Sequence, residues 1–148
     1  MKTLTVFYDA HCGLCSQVRG WLSRQPAYVR LEFVPYDSPE AAHRLPSIRH
    51  LQADQEIVVM ADSGEVWQGG GAWVTCLWAL KEYRAWSARL ANPAMQRLAR
   101  GIVHSISQHR YRLSYLMGFQ SDAEILRLAQ GHESSRSPRV LHDLDLID

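Results

Sequence analysis

Two cysteines near the N-terminus are the residues of this chain whose type and spacing most directly indicate chemistry. Cys12 and Cys15 are three positions apart, separated by Gly13 and Leu14. A thiolate is the reactive species in thiol–disulfide exchange, and this spacing on a helix puts two sulfurs one turn apart, within reach of one another. The pattern predicts a redox pair in which an exposed Cys12 attacks a substrate disulfide and a shielded Cys15 resolves the mixed disulfide.

The residues around the pair indicate how it is positioned. Residues 3–8 are β-branched and aromatic and predict a strand, and Leu14, Val18 and Leu22 then recur at helical spacing. A turn at residues 9–11 separates the two elements. Cys12 is therefore expected in the first turn of a helix, where free backbone N–H groups and the positive end of the helix dipole stabilise a thiolate.

The remaining elements complete an α/β pattern. A second strand is predicted at residues 31–36, a helix starts at Ser38-Pro39, and residues 57–61 and 65–68 form a hairpin. An apolar helix follows at residues 72–86. The order strand, helix, strand, helix, hairpin, helix predicts a thioredoxin-like fold, with helices flanking a small mixed sheet.

The C-terminal third is predicted to be helical cover. Asn92-Pro93 opens a helix with apolar residues on one face, and a capping box at residues 121–124 opens another that ends near Gly131. We therefore expect one domain over residues 1–131, with a helical extension from about 92 and a flexible tail at 132–148. Arg97, Arg110 and Arg112 make the first of these helices basic, which is typical of a solvated face; contact with an acidic partner or a place in the wall of the site stays open as the alternative.

Composition excludes several classes of function. The chain has 148 residues, with 16 Lys and Arg against 15 Asp and Glu, so bulk charge does not favour nucleic acid. An apolar stretch long enough to span a membrane and a secretory signal are both lacking, which favours a reducing cytoplasm. No cofactor is expected, and no sequence pattern indicates an oligomeric state.

Metal binding is the main alternative use of the cysteine pair. Zinc sites usually take four ligands, often from a second close pair, whereas the third cysteine, Cys76, stands alone in an apolar helix and is expected to be buried and inert. The strand before the pair and the helix after it favour redox chemistry. A non-catalytic thioredoxin-like module, whose cysteines hold a metal or sense oxidation, stays open as the alternative.

Three segments resemble one family. Residues 8–15 contain Asp-x-x-Cys-x-x-Cys, the motif that names the DCC thiol–disulfide oxidoreductases, and residues 62–73 and 108–114 are similar to later parts of that family. The resemblance implies a thioredoxin-like fold, a mostly bacterial distribution and a protein or small-molecule thiol or disulfide as substrate. It makes Cys12 the nucleophile, Cys15 the resolving cysteine and Asp9 the signature acid.

The same resemblance places the glycine-rich turn near the cysteines. It predicts a substrate groove lined by His11, Gly13, Leu14, Gly70 and Gly71. Asp9 has two possible roles: it accepts the proton of Cys15, or it caps the turn before the helix. The alternative to a substrate-binding role for His11 is that the residue is exposed and takes no part in the site. Gln55-Glu56 stands where thioredoxins have a cis-proline, so substrate handling is expected to differ.

Overall fold

A mixed four-stranded sheet forms the centre of the molecule. The computed structural model describes residues 1–90 and 92–134. The strands are β1 (Thr3–Tyr8), β2 (Arg30–Pro35), β3 (Val58–Ala61) and β4 (Val66–Gln68), in the order β2-β1-β3-β4. β2 runs parallel to β1, whereas β3 is antiparallel to both β1 and β4. The predicted hairpin and α/β class are confirmed.

Helices cover both faces of this sheet. On one face lie α1 (Gly13–Arg24) and α3 (Gly70–Ala79), and on the other lie α2 (Pro39–Arg44) and a short 3-10 helix (Pro46–His50). Alternate residues of β1 point to opposite faces, so Val6 packs in the first core and Phe7 in the second. The architecture is thioredoxin-like, as predicted.

The predicted helix over residues 72–86 is two helices. α3 ends at Ala79 and α4 (Arg84–Leu90) begins after a turn. The break follows from pairing with the chain after α1: Leu80 bridges Ala27, and the Tyr28 N–H donates to the Ala79 carbonyl at 2.8 Å. Backbone groups used in that pairing are not free to continue a helix.

Two long helices form the predicted extension. They are α5 (Pro93–Leu116) and α6 (Asp122–Ser134), and α5 packs against α1 and contacts α3 and α4. α6 continues past Gly131, where it was expected to end, and residues 132–134 of the predicted tail belong to it. Positions 135–148 lie outside the described residues.

The apolar face predicted for α5 is largely uncovered. Its side chains at four helically spaced positions are between 43% and 59% exposed, namely Met95, Leu98, Ile102 and Ile106. Helix α5 instead uses buried polar residues, Arg110 and Ser114, where it meets the rest of the molecule. Among the described residues, no helix has the length and apolar character needed to cross a membrane.

Candidate active site

Cys12 is the N-cap residue of α1, as the sequence predicted. Its backbone is extended (φ −95°, ψ 116°), and its sulfur accepts the backbone N–H of Cys15 at 3.3 Å. The Cys12 N–H in turn donates to the Asp9 carbonyl at 3.3 Å, which fixes the turn between β1 and α1. A thiol in this position takes the place of the usual side-chain oxygen cap, and a negative sulfur suits it best.

The expectation that Cys12 is exposed is wrong. The residue is completely buried, while Cys15 is partly exposed. The cover comes from the C-terminal helices: Ser114 Oγ lies 4.0 Å from Cys12 Sγ, and a Cβ at Gly13 would overlap the carbonyl oxygen of Phe119. Only glycine therefore allows the α5–α6 connection to lie against the start of α1 in this way.

Ser114 links the cover to the helix that carries the thiols. Its Oγ accepts the Leu14 N–H at 2.8 Å and donates to the Arg110 carbonyl at 2.7 Å. It thus satisfies one of the free N–H groups at the start of α1. Two elements about a hundred residues apart meet at the reactive sulfur.

The two thiols of the pair differ strongly in acidity. The pKa of Cys12 is lowered to about 6, chiefly by the hydrogen bond from the Cys15 thiol, against the opposing effect of burial. The Cys15 backbone N–H, Ser114 and the charge of Arg110 lower it further. The pKa of Cys15 is raised, first by its hydrogen bond to Cys12 and then by burial. These opposite shifts favour a Cys12 thiolate beside a Cys15 thiol.

Asp9 is buried immediately before the pair. Its Oδ1 accepts the His11 N–H at 2.9 Å, which confirms the turn-capping interpretation. Its Oδ2 accepts the Tyr111 hydroxyl at 2.6 Å and lies 3.3 Å from Arg110 Nη2. The carboxylate thus has both a local structural role and charged and polar partners from α5.

His11 does not turn toward the thiols. Its ring is about half exposed, and its Nε2 lies 3.0 Å from Asp37 Oδ2. The imidazole therefore belongs to the rim of the site, consistent with the exposed interpretation.

A cavity of about 250 Å³ opens beside Cys15. It lies between α1, α5 and the segment that precedes β3, and Asp9, Arg19, Glu56 and Arg110 contribute its charged groups. Much of its remaining lining is apolar: Val6, Leu14, Val18, Leu22, Ile57 and Trp73. The cavity gives a compact, largely apolar group access to the Cys15 side of the pair.

The glycine-rich turn lies at the start of α3. Gly69 has φ +56°, a backbone conformation that favours glycine, and it lies against the carboxylate of Glu56, which is 2.5 Å from where a Cβ would be. Gly70 and Gly71 form the first turn of α3 but are not among the described residues that line the cavity. Their role in a substrate groove stays a prediction.

Helix α5 contributes more to the site than the favoured interpretation of its arginines predicts. Arg110, Tyr111 and Ser114 approach Asp9 and the thiols, so the alternative of a site wall, rather than a solvated face, describes Arg110. The available signal was the similarity of residues 108–114 to the DCC family and the four-residue spacing of Arg110 and Ser114, which puts both on one face of a helix. Spacing alone did not say which face is buried.

The third cysteine behaves as expected. Cys76 is completely buried in the core between α3 and the sheet, and burial raises its pKa to about 12. Within residues 1–90 and 92–134, no group of three potential metal-ligating side chains converges.

Comparison with protein families gave one match. Residues 6–116 match the family described as DCC1-like thiol-disulfide oxidoreductase. That range includes both cysteines, all of the sheet except the first half of β1, and the α5 residues that contact the site. Comparisons with curated proteins and with solved structures each gave no match.

Proposed function

The chain belongs to the DCC1-like thiol–disulfide oxidoreductase family, an enzyme family, and from this premise we propose that Cys12 is its nucleophile and Cys15 its resolving cysteine. The observation that carries the assignment is the N-cap position of Cys12, whose sulfur accepts the Cys15 N–H at 3.3 Å. This contact and the Cys15 thiol stabilise the charge on Cys12. If Cys15 were the nucleophile instead, the attacking sulfur would be the one whose pKa is raised, which disfavours its thiolate.

The reaction proceeds in two exchanges. The Cys12 thiolate attacks one sulfur of a substrate disulfide, forms a mixed disulfide and releases the other sulfur as a thiolate. Cys15 then loses its proton and attacks Cys12 Sγ, which forms the Cys12–Cys15 disulfide and releases the second substrate thiolate. The substrate gains two electrons and the enzyme dithiol loses them. Two external thiols, or one dithiol, restore the enzyme dithiol by the reverse exchanges and leave as a disulfide.

Asp9 is proposed to accept the Cys15 proton during the second exchange. Both residues line the same cavity, and Asp9 is buried there. The proton transfer occurs when Cys15 becomes a nucleophile. By then Cys12 is bonded to the substrate and no longer raises the pKa of Cys15, but burial still does, so a proton acceptor assists the step.

Substrate access requires movement of the cover over Cys12. The connection between α5 and α6 must separate from Gly13 before a disulfide reaches the buried sulfur. We propose that His11, Gly13, Leu14, Gly70 and Gly71 contact the substrate on the opened surface, and that the cavity beside Cys15 takes its apolar part. The reducing cytoplasm, where a dithiol is maintained, is the proposed compartment.

Reduction of insulin by dithiothreitol tests the proposal. The wild-type chain and Cys76→Ala should accelerate it equally, because Cys76 is remote from exchange, whereas Cys12→Ser should abolish the acceleration. Cys15→Ser should accumulate mixed disulfides on Cys12, detectable by mass spectrometry. Turnover that survives Cys12→Ser would refute the nucleophile assignment.

A further inference from the structure

Arg110 is a buried cation that reaches the thiol site from α5. Its side chain is 9% exposed, and its Nη2 lies 3.3 Å from Asp9 Oδ2, a residue that is itself buried. The same nitrogen donates to the Asp54 carbonyl and contacts the Tyr111 hydroxyl at 3.1 Å. Charged residues are rarely buried this deeply without a specific partner.

The guanidinium and the thiols belong to one contiguous group. Arg110 and Cys15 line the same cavity, and the Arg110 carbonyl accepts the Ser114 hydroxyl that lies 4.0 Å from Cys12 Sγ. The backbone carbonyl of Asp9, whose side chain pairs with Arg110, accepts the Cys12 N–H. A change of charge at Arg110 therefore acts on the thiol pair over a short path through buried groups.

Hydrogen bonding alone does not account for this arginine. Its Nε is buried, and among the described residues it has no hydrogen-bond partner. A neutral side chain of similar shape would avoid that cost, so the charge itself is the property that the site uses. Without it, the Asp9 carboxylate would face the Cys12 thiolate with no compensating cation.

We propose that Arg110 is a positioning residue of the exchange reaction: it holds Asp9 in place and supplies the buried positive charge that keeps the Cys12 sulfur ionised. The inference rests on the proposed function of Cys12 as the thiolate nucleophile. Arg110 acts through Asp9 and the local field rather than by contact with a sulfur atom.

The electrostatic surroundings support this role. The charge of Arg110 lowers the pKa of both thiols, whereas the charge of Asp9 raises that of Cys15. The titratable and charged groups around the thiols come from several elements. They are Asp9 after β1, Cys12 and Cys15 at the start of α1, Arg19 farther along α1, Glu56 before β3, and Arg110 and Tyr111 of α5, with Tyr36 and Asp54 next to Asp9 and Arg110.

Thiolate titration of the full chain tests the proposal. The ultraviolet absorbance of the thiolate is followed against pH in a Cys76→Ala background, with the Cys12→Ser spectrum subtracted. Arg110→Met should move the Cys12 midpoint upward by about one pH unit, and Arg110→Lys should restore most of that shift. Arg112→Met, which removes the same charge from an exposed position on the same helix, should leave the midpoint unchanged.

Asp9 provides the second arm of the experiment. Asp9→Asn alone should lower the midpoint, and the double variant Asp9→Asn/Arg110→Met should return it toward that of the wild type. This double variant removes both buried charges, so it keeps the test available if Arg110→Met fails to fold.

The outcomes separate charge from packing. An unchanged midpoint in folded Arg110→Met, or a double variant no closer to the wild type than the single one, overturns the proposal. Insulin reduction is measured in parallel. If the Cys12 midpoint shifts in Arg110→Met but the wild type does not reduce insulin, the role of Arg110 is supported and the proposed function is contradicted. If the wild type reduces insulin but the midpoint does not shift, only the role of Arg110 is overturned.

Discussion

Cys12 and Cys76 are both completely buried, yet their environments give them opposite acidities. The pKa of Cys12 is lowered to about 6, whereas that of Cys76 is raised to about 12. Cys76 lies within α3 among apolar side chains, and burial is the cause of its shift. Cys12 caps α1 and receives hydrogen bonds.

The difference teaches that hydrogen-bond donors, rather than exposure, set the acidity of these two thiols. Burial disfavours the thiolate at both positions. At Cys12 that penalty is overcome by the Cys15 thiol and N–H, by Ser114 and by the charge of Arg110. The position of a cysteine at the start of a helix therefore matters more than the area of sulfur that solvent reaches.

The largest expected effect is the difference in alkylation between these two buried thiols. Treatment of the native protein with iodoacetamide at neutral pH should modify Cys12 at least about a thousandfold faster than Cys76, measured by peptide mass spectrometry. Both thiols are completely buried, so the ratio combines their ionisation with the opening that each needs before it meets the reagent, and the difference in ionisation is expected to dominate.

The pH dependence fixes the sign of this effect. The Cys12 rate should rise as pH increases and reach half its maximum near pH 6, because the thiolate forms there. The lowered pKa of Cys12 also raises the free energy of unfolding. This stabilisation is complete at pH values above the pKa of an unfolded cysteine, about 8.5, and is lost as the pH falls through 6. Equal rates in the native protein would contradict the comparison.

The next largest effect concerns the cover over Cys12. Gly13→Ala should lower the free energy of unfolding by about 1–3 kcal/mol, because the new methyl group overlaps the Phe119 carbonyl. It should also speed alkylation of Cys12 by displacing the α5–α6 connection. Urea denaturation and alkylation rates measure the two effects.

Gly20→Ala is the matched control for that substitution. It lies on the same helix, and its new Cβ would make only an ordinary contact with Arg24 at 3.5 Å. Alanine there should stabilise the helix by up to about 1 kcal/mol and leave the alkylation of Cys12 unchanged. If both glycine variants behave alike, the close contact with Phe119 has no bearing on access.

A smaller effect is expected at the inert thiol. Cys76→Ser should lower the free energy of unfolding by about 1–3 kcal/mol, because the core around it is apolar and leaves a hydroxyl poorly satisfied. Cys76→Ala should cost about 1 kcal/mol, and both variants should keep full insulin-reducing activity. Loss of activity in the stable alanine variant would show that Cys76 takes part in exchange.

The smallest effect is expected at Ser114. Ser114→Ala should raise the pKa of Cys12 by less than about one pH unit and cost about 1 kcal/mol, because the Leu14 N–H loses its acceptor. Ser105→Ala, at an exposed position of the same helix, serves as control. If the titration midpoint of Cys12 is unchanged in Ser114→Ala, the Ser114 hydroxyl does not stabilise the thiolate.

Local patterns predicted much of the fold. The strand before the cysteines, the helix they begin, the hairpin and the two C-terminal helices each follow from periodicity, caps and turn residues. The break between α3 and α4 was not predictable, because it depends on pairing of Leu80 with Ala27 across the molecule. The apolar face of α5 was visible as a pattern, but its exposure was not.

The sequence by itself determined that two thiols stand at the start of a helix, directly after a buried strand, since both facts depend on neighbours within a few residues. Tertiary structure decided that Cys12 is buried and that Asp9, Arg110 and Ser114 surround the pair. Those contacts join positions such as Asp9 and Tyr111, which are 102 residues apart. The physical reason is that a helical repeat defines which residues share a face, while the packing of α5 on α1 selects the face that meets the thiolate.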